Sequence, residues 1–181
     1  HLLALVNKVL TLSKLEEGKL LLEKTEVELR PIIEDLIEKF TAKAEKQVEF
    51  ALDLQEEKAY ADEEFLKEAL SNLIDNAIKY SGESVQIKIS SSASTDGYTH
   101  ISVTDNGMGI PLKEQGKIFE KFERASPVIR NRKEGASGFG LGLNYVLHVV
   151  EAHHGSVKLE SIEGEYSKFT INIPQHNGET A

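Results

Sequence analysis

Five short runs in which apolar and polar residues alternate constrain this 181-residue chain more than any other feature. VQIKIS at 85–90 and THISVTD at 99–105 make one pair, joined by the polar loop SSASTDG, which reads as a hairpin. SVKLES at 156–161 and KFTINIP at 168–174 make a second pair, and VEFALDL at 48–54 alternates in the same way. Successive side chains of a strand point to opposite faces, so each run has one face to bury. Helical patterns supply the cover. Pro31 opens a helix through residue 46 with Ile32, Ile33, Leu36, Ile37 and Phe40 on one side. Asp62 can cap a second helix running through Tyr80, with Glu63 and Glu64 in its first turn, and a third spans about 141–152. Because the strands come in pairs with helices collected between them, the pattern predicts an α+β fold rather than βαβ units. In that fold a two-layer sandwich has one mixed sheet covered by helices on one face.

The first seventeen residues are different. Leu2, Leu5, Val9 and Leu12 recur at helical spacing, with Leu3, Val6 and Leu10 beside them, and Gly18 stands where a left-handed C-terminal cap belongs. Such a leucine-rich helix must bury against its own domain, a neighbour or a second copy. Residues 1–18 are therefore expected to be an appendage, 19–29 an extended linker, 30–175 the main domain and 176–181 a frayed tail. A start inside an apolar-periodic segment reads as a chain cut from something larger. The net charge of −9 argues against a general nucleic-acid binder. With no cysteine there is no disulfide, thiolate nucleophile or Cys-ligated zinc. No apolar run approaches the roughly 18–20 residues that span a bilayer, so membrane attachment is expected only through regions outside this sequence.

Three segments can carry chemistry. In LSNLIDNAIKYS, Asn72, Asn76 and Lys79 fall on one helix face; amide oxygens suit a hard cation such as Mg²⁺, and lysine suits phosphate, although a solvated polar face has the same pattern. DNGMGI at 105–110 is a turn signal in isolation. Gly107 and Gly109 nevertheless let backbone approach a planar ligand, and Asp105 offers a carboxylate to an amino group such as that of adenine. SGFGLGL feeds Gly138, Gly140 and Gly142 into a helix N-terminus, where N–H groups and the helix dipole can hold phosphates, or simply make a flexible cap. It fits neither a Walker loop nor a dinucleotide fingerprint. Between the last two segments, residues 113–137 hold seven basic side chains against four acidic ones, a basic lid within an acidic protein or a solvated loop.

Taken in order, NLIDNAIKYS, DNGMGI, IFEKFER and GFGLGL resemble the asparagine, first glycine, phenylalanine and second glycine boxes of bacterial sensor histidine kinases. The resemblance covers roughly residues 30–174, and LVNKVLTLSKLEEGKLLL is similar to the second helix of that family's dimerisation and phosphotransfer hairpin. It implies the histidine kinase and gyrase type of ATP-binding sandwich, with ATP and Mg²⁺ as cofactors. On matching positions it implies that Asn72 and Asn76 hold Mg²⁺ and phosphate, Lys79 meets the triphosphate, and Tyr80 packs by the adenine. Asp105 would accept the adenine amino group, with Gly107 and Gly109 letting the base approach. Gly138, Gly140 and Gly142 would form the phosphate-side loop, with Arg124 as a lid contact and Ile110, Phe122, Leu141, Leu143 and Ser167 completing the surround. Asn72, Lys79 and Arg124 are thereby the implied catalytic set, acting through positioning and charge neutralisation of the γ-phosphoryl group.

The resemblance also implies partners: a phosphoacceptor-histidine helix of the same or a partner subunit, a response regulator receiver domain, and a homodimer of a full-length parent with this part in the cytoplasm. The sequence departs from the pattern in two places. Tyr166 stands in GEYSKF where the family has a second glycine, and Glu28-Leu29-Arg30-Pro31 lacks the acceptor histidine that precedes such a stretch in the family. None of the six histidines matches the acceptor motif, so this chain is expected to bind ATP without labelling itself efficiently. Gyrase-type and chaperone-type relatives carry a water-activating glutamate at the position of Asn72, and an amide is no general base at neutral pH. Hydrolysis is thus the weaker alternative, and a catalytically silent nucleotide-binding or dimerising module is the other.

Overall fold

The computed structural model describes residues 2–120 and 141–176. Helix α1 (Leu2–Glu16) leads through an extended stretch to strand β1 (Thr25–Glu28), helix α2 (Leu29–Lys43) and strands β2 (Gln47–Leu54) and β3 (Lys58–Ala61). Helix α3 (Glu63–Lys79), strands β4 (Ser84–Ala93) and β5 (Tyr98–Asp105) and the single turn α4 (Leu112–Gln115) follow. Helix α5 (Gly142–Ala152) and strands β6 (Ser156–Ile162) and β7 (Tyr166–Pro174) complete the order.

Five strands make one sheet in the order β2-β4-β5-β7-β6. β2 runs parallel to β4, with Val48 opposite Val85, and the other neighbours are antiparallel, so the sheet is mixed as expected. The parallel pair needs a long crossover, and α3 supplies it. Both hairpins are present. Val85, Ile87 and Ile89 of β4, Ile101 and Val103 of β5, and Phe169, Ile171 and Ile173 of β7 point inward to Leu66, Leu70, Leu73 and Ile74 of α3 and Val146, Val149 and Val150 of α5. The opposite face is polar: Ser102 Oγ and Thr170 Oγ1 lie 2.7 Å apart, and His100 meets Asn172 beside them.

Two strands are absent from the sequence reading. β1 and β3 form a separate antiparallel ribbon, Val27 opposite Ala59, within segments read as a linker and as the approach to a helix. Each has only four residues, too few to establish a period. α2 starts at Leu29, two residues before Pro31, and stops at Lys43, where Ala44 turns extended. Gly18 does adopt positive φ, +65°, after α1.

α1 divides in two. Leu12 and Leu15 are buried and the helix rests on α5, whereas Leu2, Leu3, Val6, Val9 and Leu10 are exposed. The cap of α3 ties together three parts of the chain. Asp62 Oδ1 accepts from the Phe65 N–H at 3.2 Å, Oδ2 accepts from the Glu23 N–H at 2.9 Å, and the Asp62 N–H donates to His153 Nε2 at 3.0 Å. His153 Nδ1 in turn donates to the Val149 carbonyl at 2.7 Å, which fixes the neutral tautomer, and burial lowers its pKa below 6.5.

A folded-state pKa below the unfolded one means that the unfolded chain gains the proton first as pH falls. His153 therefore contributes full stability above pH about 6.5 and loses it on acidification. His153→Leu, which leaves the buried Asp62 N–H unpaired, should cost about 1–3 kcal/mol at pH 7.5 and reduce the loss of stability between pH 7.5 and 5.5. Urea unfolding of both proteins at the two pH values checks this.

Candidate nucleotide site

α3 carries the first group of sequence-identified residues. Its period places Asn72, Asn76 and Tyr80 along one side, and eight residues at 1.5 Å rise set the two ends about 12 Å apart. At the C-terminal end Tyr80 leaves helical geometry, and its carbonyl accepts from the Met108 N–H at 3.0 Å. This bond draws the loop after β5 against the end of α3. Lys46 reinforces the same corner by donating to the carbonyls of Ile78 and Ser81 and to Ser81 Oγ.

Asp105 ends β5 on the inward face and is only 7% exposed. Its Oδ1 accepts from the Gly107 N–H at 2.9 Å. Burial raises the carboxyl pKa to about 6, against the lowering effect of that hydrogen bond. Gly107 has no room for a side chain: a Cβ there would lie 2.7 Å from both Asp105 Oδ1 and the Tyr80 carbonyl oxygen. Gly109, at φ +63°, passes so close to β6 that a Cβ would meet the Ile162 carbonyl oxygen at 2.1 Å. The Asp-Asn-Gly sequence is thus not a hairpin turn; β5 pairs with β4 and β7, and the loop leads on to α4.

Ser167 lies opposite Asp105 in the β5–β7 register. Its hydroxyl reaches Ser161 Oγ at 3.0 Å; Ser161 Oγ donates to the Tyr166 carbonyl and accepts from the Ile110 N–H, each at 2.8 Å. With its one proton committed to Tyr166, Ser161 must accept from Ser167. Ser161 therefore braces Ile110 and Ser167 together, a role with no signal in the alternating run SVKLES.

The second group lies about two turns back, near the middle of α3. Leu141 precedes α5, and Gly142 begins it so close to Asn72 that a Cβ would stand 3.3 Å from Asn72 Oδ1. Leu143 is partly buried against the core. The asparagine helix and the start of the glycine-led helix are thereby brought together. Asn72 Nδ2 donates to the Glu68 carbonyl at 3.0 Å, and Asn72 Oδ1 accepts from Lys8 Nζ of α1 at 3.0 Å. Lys8 also stands 5.6 Å from the ring centroid of Tyr145, and burial lowers its pKa. Lys79 is engaged on its own helix, 2.7 Å from Asp75 Oδ2. Neither Lys8 nor Asn144 figures in the sequence reading. Asn144, in the first turn of α5, donates from Nδ2 to the Phe119 carbonyl at 2.9 Å, tying the segment after α4 to α5. Phe122, Arg124, Gly138 and Gly140, and most of the expected lid at 113–137, lie outside the described residues.

Among the described residues no group of three or more His, Cys, Asp or Glu side chains is placed to hold a metal ion. A cation here would rest on amide oxygens, water and a nucleotide's phosphates, all oxygen ligands of the kind a hard cation such as Mg²⁺ takes. The donor chemistry fits, since Asn72 Oδ1 already accepts a cationic group. A cleft of about 470 Å³ is lined by Glu49, Gln86, Lys88, Thr104, Asp105 and Tyr166 among others, and so includes Asp105 but neither Asn72 nor Gly142.

A mixed five-stranded sheet with helices on one face, crossed by a helix that joins an inward carboxylate to a glycine-led helix start, defines the ATP-binding α+β sandwich class. The chain belongs to the family of histidine kinase-, DNA gyrase B- and HSP90-like ATPases, whose model matches residues 61–177. Within that family its relatives are sensor histidine kinases. It is 33% identical to the adaptive-response sensory kinase SasA of Crocosphaera subtropica, over 94% of this chain and 44% of that protein. To the sensor histidine kinase WalK of Bacillus subtilis it is 33% identical, over 96% of this chain and 28% of that protein. The chain thus spans less than half the length of these curated relatives. Among solved structures, full-length ShkA in complex with AMPPNP superposes with a TM-score of 0.82 at 29% identity, covering 96% of this chain and 36% of that one. The histidine kinase AdeS of Acinetobacter baumannii gives a TM-score of 0.78 at 26% identity, covering 96% and 78%.

The close approach at Gly109 yields a direct expectation. Gly109→Ala places a Cβ against backbone in a left-handed conformation and should destabilise the fold by more than about 1 kcal/mol, whereas Gly82→Ala, with open space around it, should change stability far less. Denaturant midpoints of the two variants decide the comparison.

Proposed function

We propose that this chain is the catalytic part of a sensor histidine kinase, holding Mg²⁺-ATP for transfer of the γ-phosphoryl group to a histidine on a hairpin helix and thence to a response regulator. The observation that carries the reading is the alignment of Asp105, Tyr80, Asn76, Asn72 and Gly142 along one side of α3, over a span suited to a nucleotide laid base to phosphate. Asp105 would accept the adenine amino group, with Tyr80, Gly107, Gly109, Ile110 and Ser167 around the base. Asn72 and Asn76 would hold Mg²⁺, which neutralises phosphate charge when bound. Lys79 would exchange Asp75 for a phosphate oxygen, and Gly142 at the α5 N-terminus would present backbone N–H groups to phosphate. Arg124, Phe122, Gly138, Gly140, Leu141 and Leu143 would complete the enclosure.

The reading puts the acceptor on another helix because none of the six histidines matches the acceptor motif, and the contacts of two of them support it. His153 uses both ring nitrogens inside the core, and His148 lies on α5 between Glu16 at 3.4 Å and Glu151 at 3.6 Å. α1 with residues 17–18 is read as the second helix of the hairpin, its exposed apolar half facing the rest of a homodimeric bundle. No helix among the described residues is long and apolar enough to cross a membrane, and the reading places this part on the cytoplasmic side of a membrane-anchored sensor. Asn72, with no carboxylate in its place, favours transfer over hydrolysis.

Titration with a fluorescent ATP analogue tests the site. Asp105→Asn and Asn76→Ala should each weaken binding about 10- to 100-fold, the latter only with Mg²⁺ present; unchanged affinity in both refutes the assignment. Parent affinity should fall as pH drops through about 6, where the Asp105 carboxylate takes up a proton, and Asp105→Asn should flatten that dependence. A supplied acceptor hairpin should become labelled from ATP; tight binding without labelling would instead favour a silent nucleotide-binding module.

A further inference from the structure

Lys8 reaches from α1 to Asn72 in the middle of α3 and to the Tyr145 ring of α5. Its ammonium donates to Asn72 Oδ1 at 3.0 Å, beside the Tyr145 ring, within the field of Glu68 and Asp75, which attract it, and Lys79, which repels it. Gly142 lies close to the same oxygen: a Cβ there would stand 3.3 Å from it. The contact is made across 64 residues, between the appended helix and the main domain, and it uses the atom that the nucleotide reading gives to Mg²⁺.

We infer that Lys8 is an internal cation that occupies the metal position at Asn72, so that docking of α1 and binding of Mg²⁺-nucleotide exclude each other. The inference rests on the nucleotide reading of this site. Mg²⁺ takes oxygen ligands at about 2.1 Å, so an ion bound to Asn72 Oδ1 while Lys8 kept its bond would lie about 4–5 Å from the ammonium. A divalent ion and an ammonium at that separation in a half-buried site repel, and both draw on the lone pairs of the one Asn72 Oδ1. One must leave. The ammonium is the more mobile partner: among the described residues α1 is anchored through Leu12, Leu15 and the partly buried Leu5, and by the approach of Glu16 to His148, while Leu2, Leu3, Val6, Val9 and Leu10 are exposed. Coupling is reciprocal: what α1 subtracts from Mg²⁺-nucleotide affinity, Mg²⁺-nucleotide subtracts from α1 docking. The helix of the hairpin thus reports on, and restrains, the loading of the site.

The test uses the whole chain. Lys8→Met keeps the aliphatic stem on Tyr145 and removes the charge, whereas Lys8→Arg keeps the charge. A fluorescent ATP analogue is titrated with Mg²⁺ and with EDTA, and exchange of the amides of residues 2–11 is followed with and without Mg²⁺ and a non-hydrolysable ATP analogue. Lys8→Met should bind the Mg²⁺-nucleotide about 5- to 50-fold tighter than the parent, with the two alike in EDTA, and Lys8→Arg should stay near the parent. Mg²⁺-nucleotide should speed amide exchange in parent α1. Equal Mg²⁺-nucleotide affinity of Lys8→Met and parent, or α1 exchange unmoved by Mg²⁺-nucleotide, overturns the inference and leaves the nucleotide site standing. Absence of nucleotide binding in all three proteins overturns the site reading itself, and this inference with it.

Discussion

The junction at Asp62 is the contact on which the rest of the structure depends. One residue begins α3 with its carboxylate, receives the chain that enters from α1 through the Glu23 N–H, and gives its own N–H to His153 at the end of α5. A buried N–H without a partner is costly, and a buried imidazole is tolerated only when both nitrogens are satisfied in the neutral form. Each group here answers the other. The outcome is a fixed relation between the start of α3 and the end of α5, and therefore between Asn72 and Gly142, which lie further along the two helices.

From that fixed start α3 acts as a ruler. Its N-terminal half packs on α5 and its C-terminal end is fastened by Lys46 and by the loop carrying Asp105. On the proposed reading the base-side and phosphate-side groups would belong to different elements, with the run of α3 from Asn72 to Tyr80 between them. Charge follows the same arrangement: a carboxyl group whose pKa burial raises beside the C-terminal end, and the Asn72 amide oxygen meeting a lysine ammonium near the middle. The cationic character of the second end comes from α1, outside the residues matched by the family model.

Much of this was legible in the sequence, for identifiable reasons. The long alternating runs and the Asp62 cap are local signals, and local signals gave the five-stranded sheet, the hairpins and α3 correctly. β1 and β3 were hidden because four residues cannot display a period. The pairing of β2 with β4 in parallel is settled by the crossover, which no local pattern contains. In the site, Asp105, Gly107 and Asn72 stood out through residue type and spacing. Ser161, Asn144 and Lys8 did not, because their parts depend on contacts 51, 25 and 64 residues away. A serine in an alternating strand and a lysine on an apolar helix look like ordinary solvent-facing residues until the fold is known.

The passage of Gly109 under Ile162 has a consequence for recognition. Backbone that is already pinned by the Tyr80 carbonyl, by Ser161 and by a neighbouring strand has little conformational freedom left to lose. The aromatic half of a ligand would meet a surface whose ordering cost was borne during folding, whereas the anionic half would have to displace a side chain that is already bonded. On the proposed reading, selectivity for the heterocycle and responsiveness to a metal-bound tail would be separated in space, so that one could be retuned by mutation without the other.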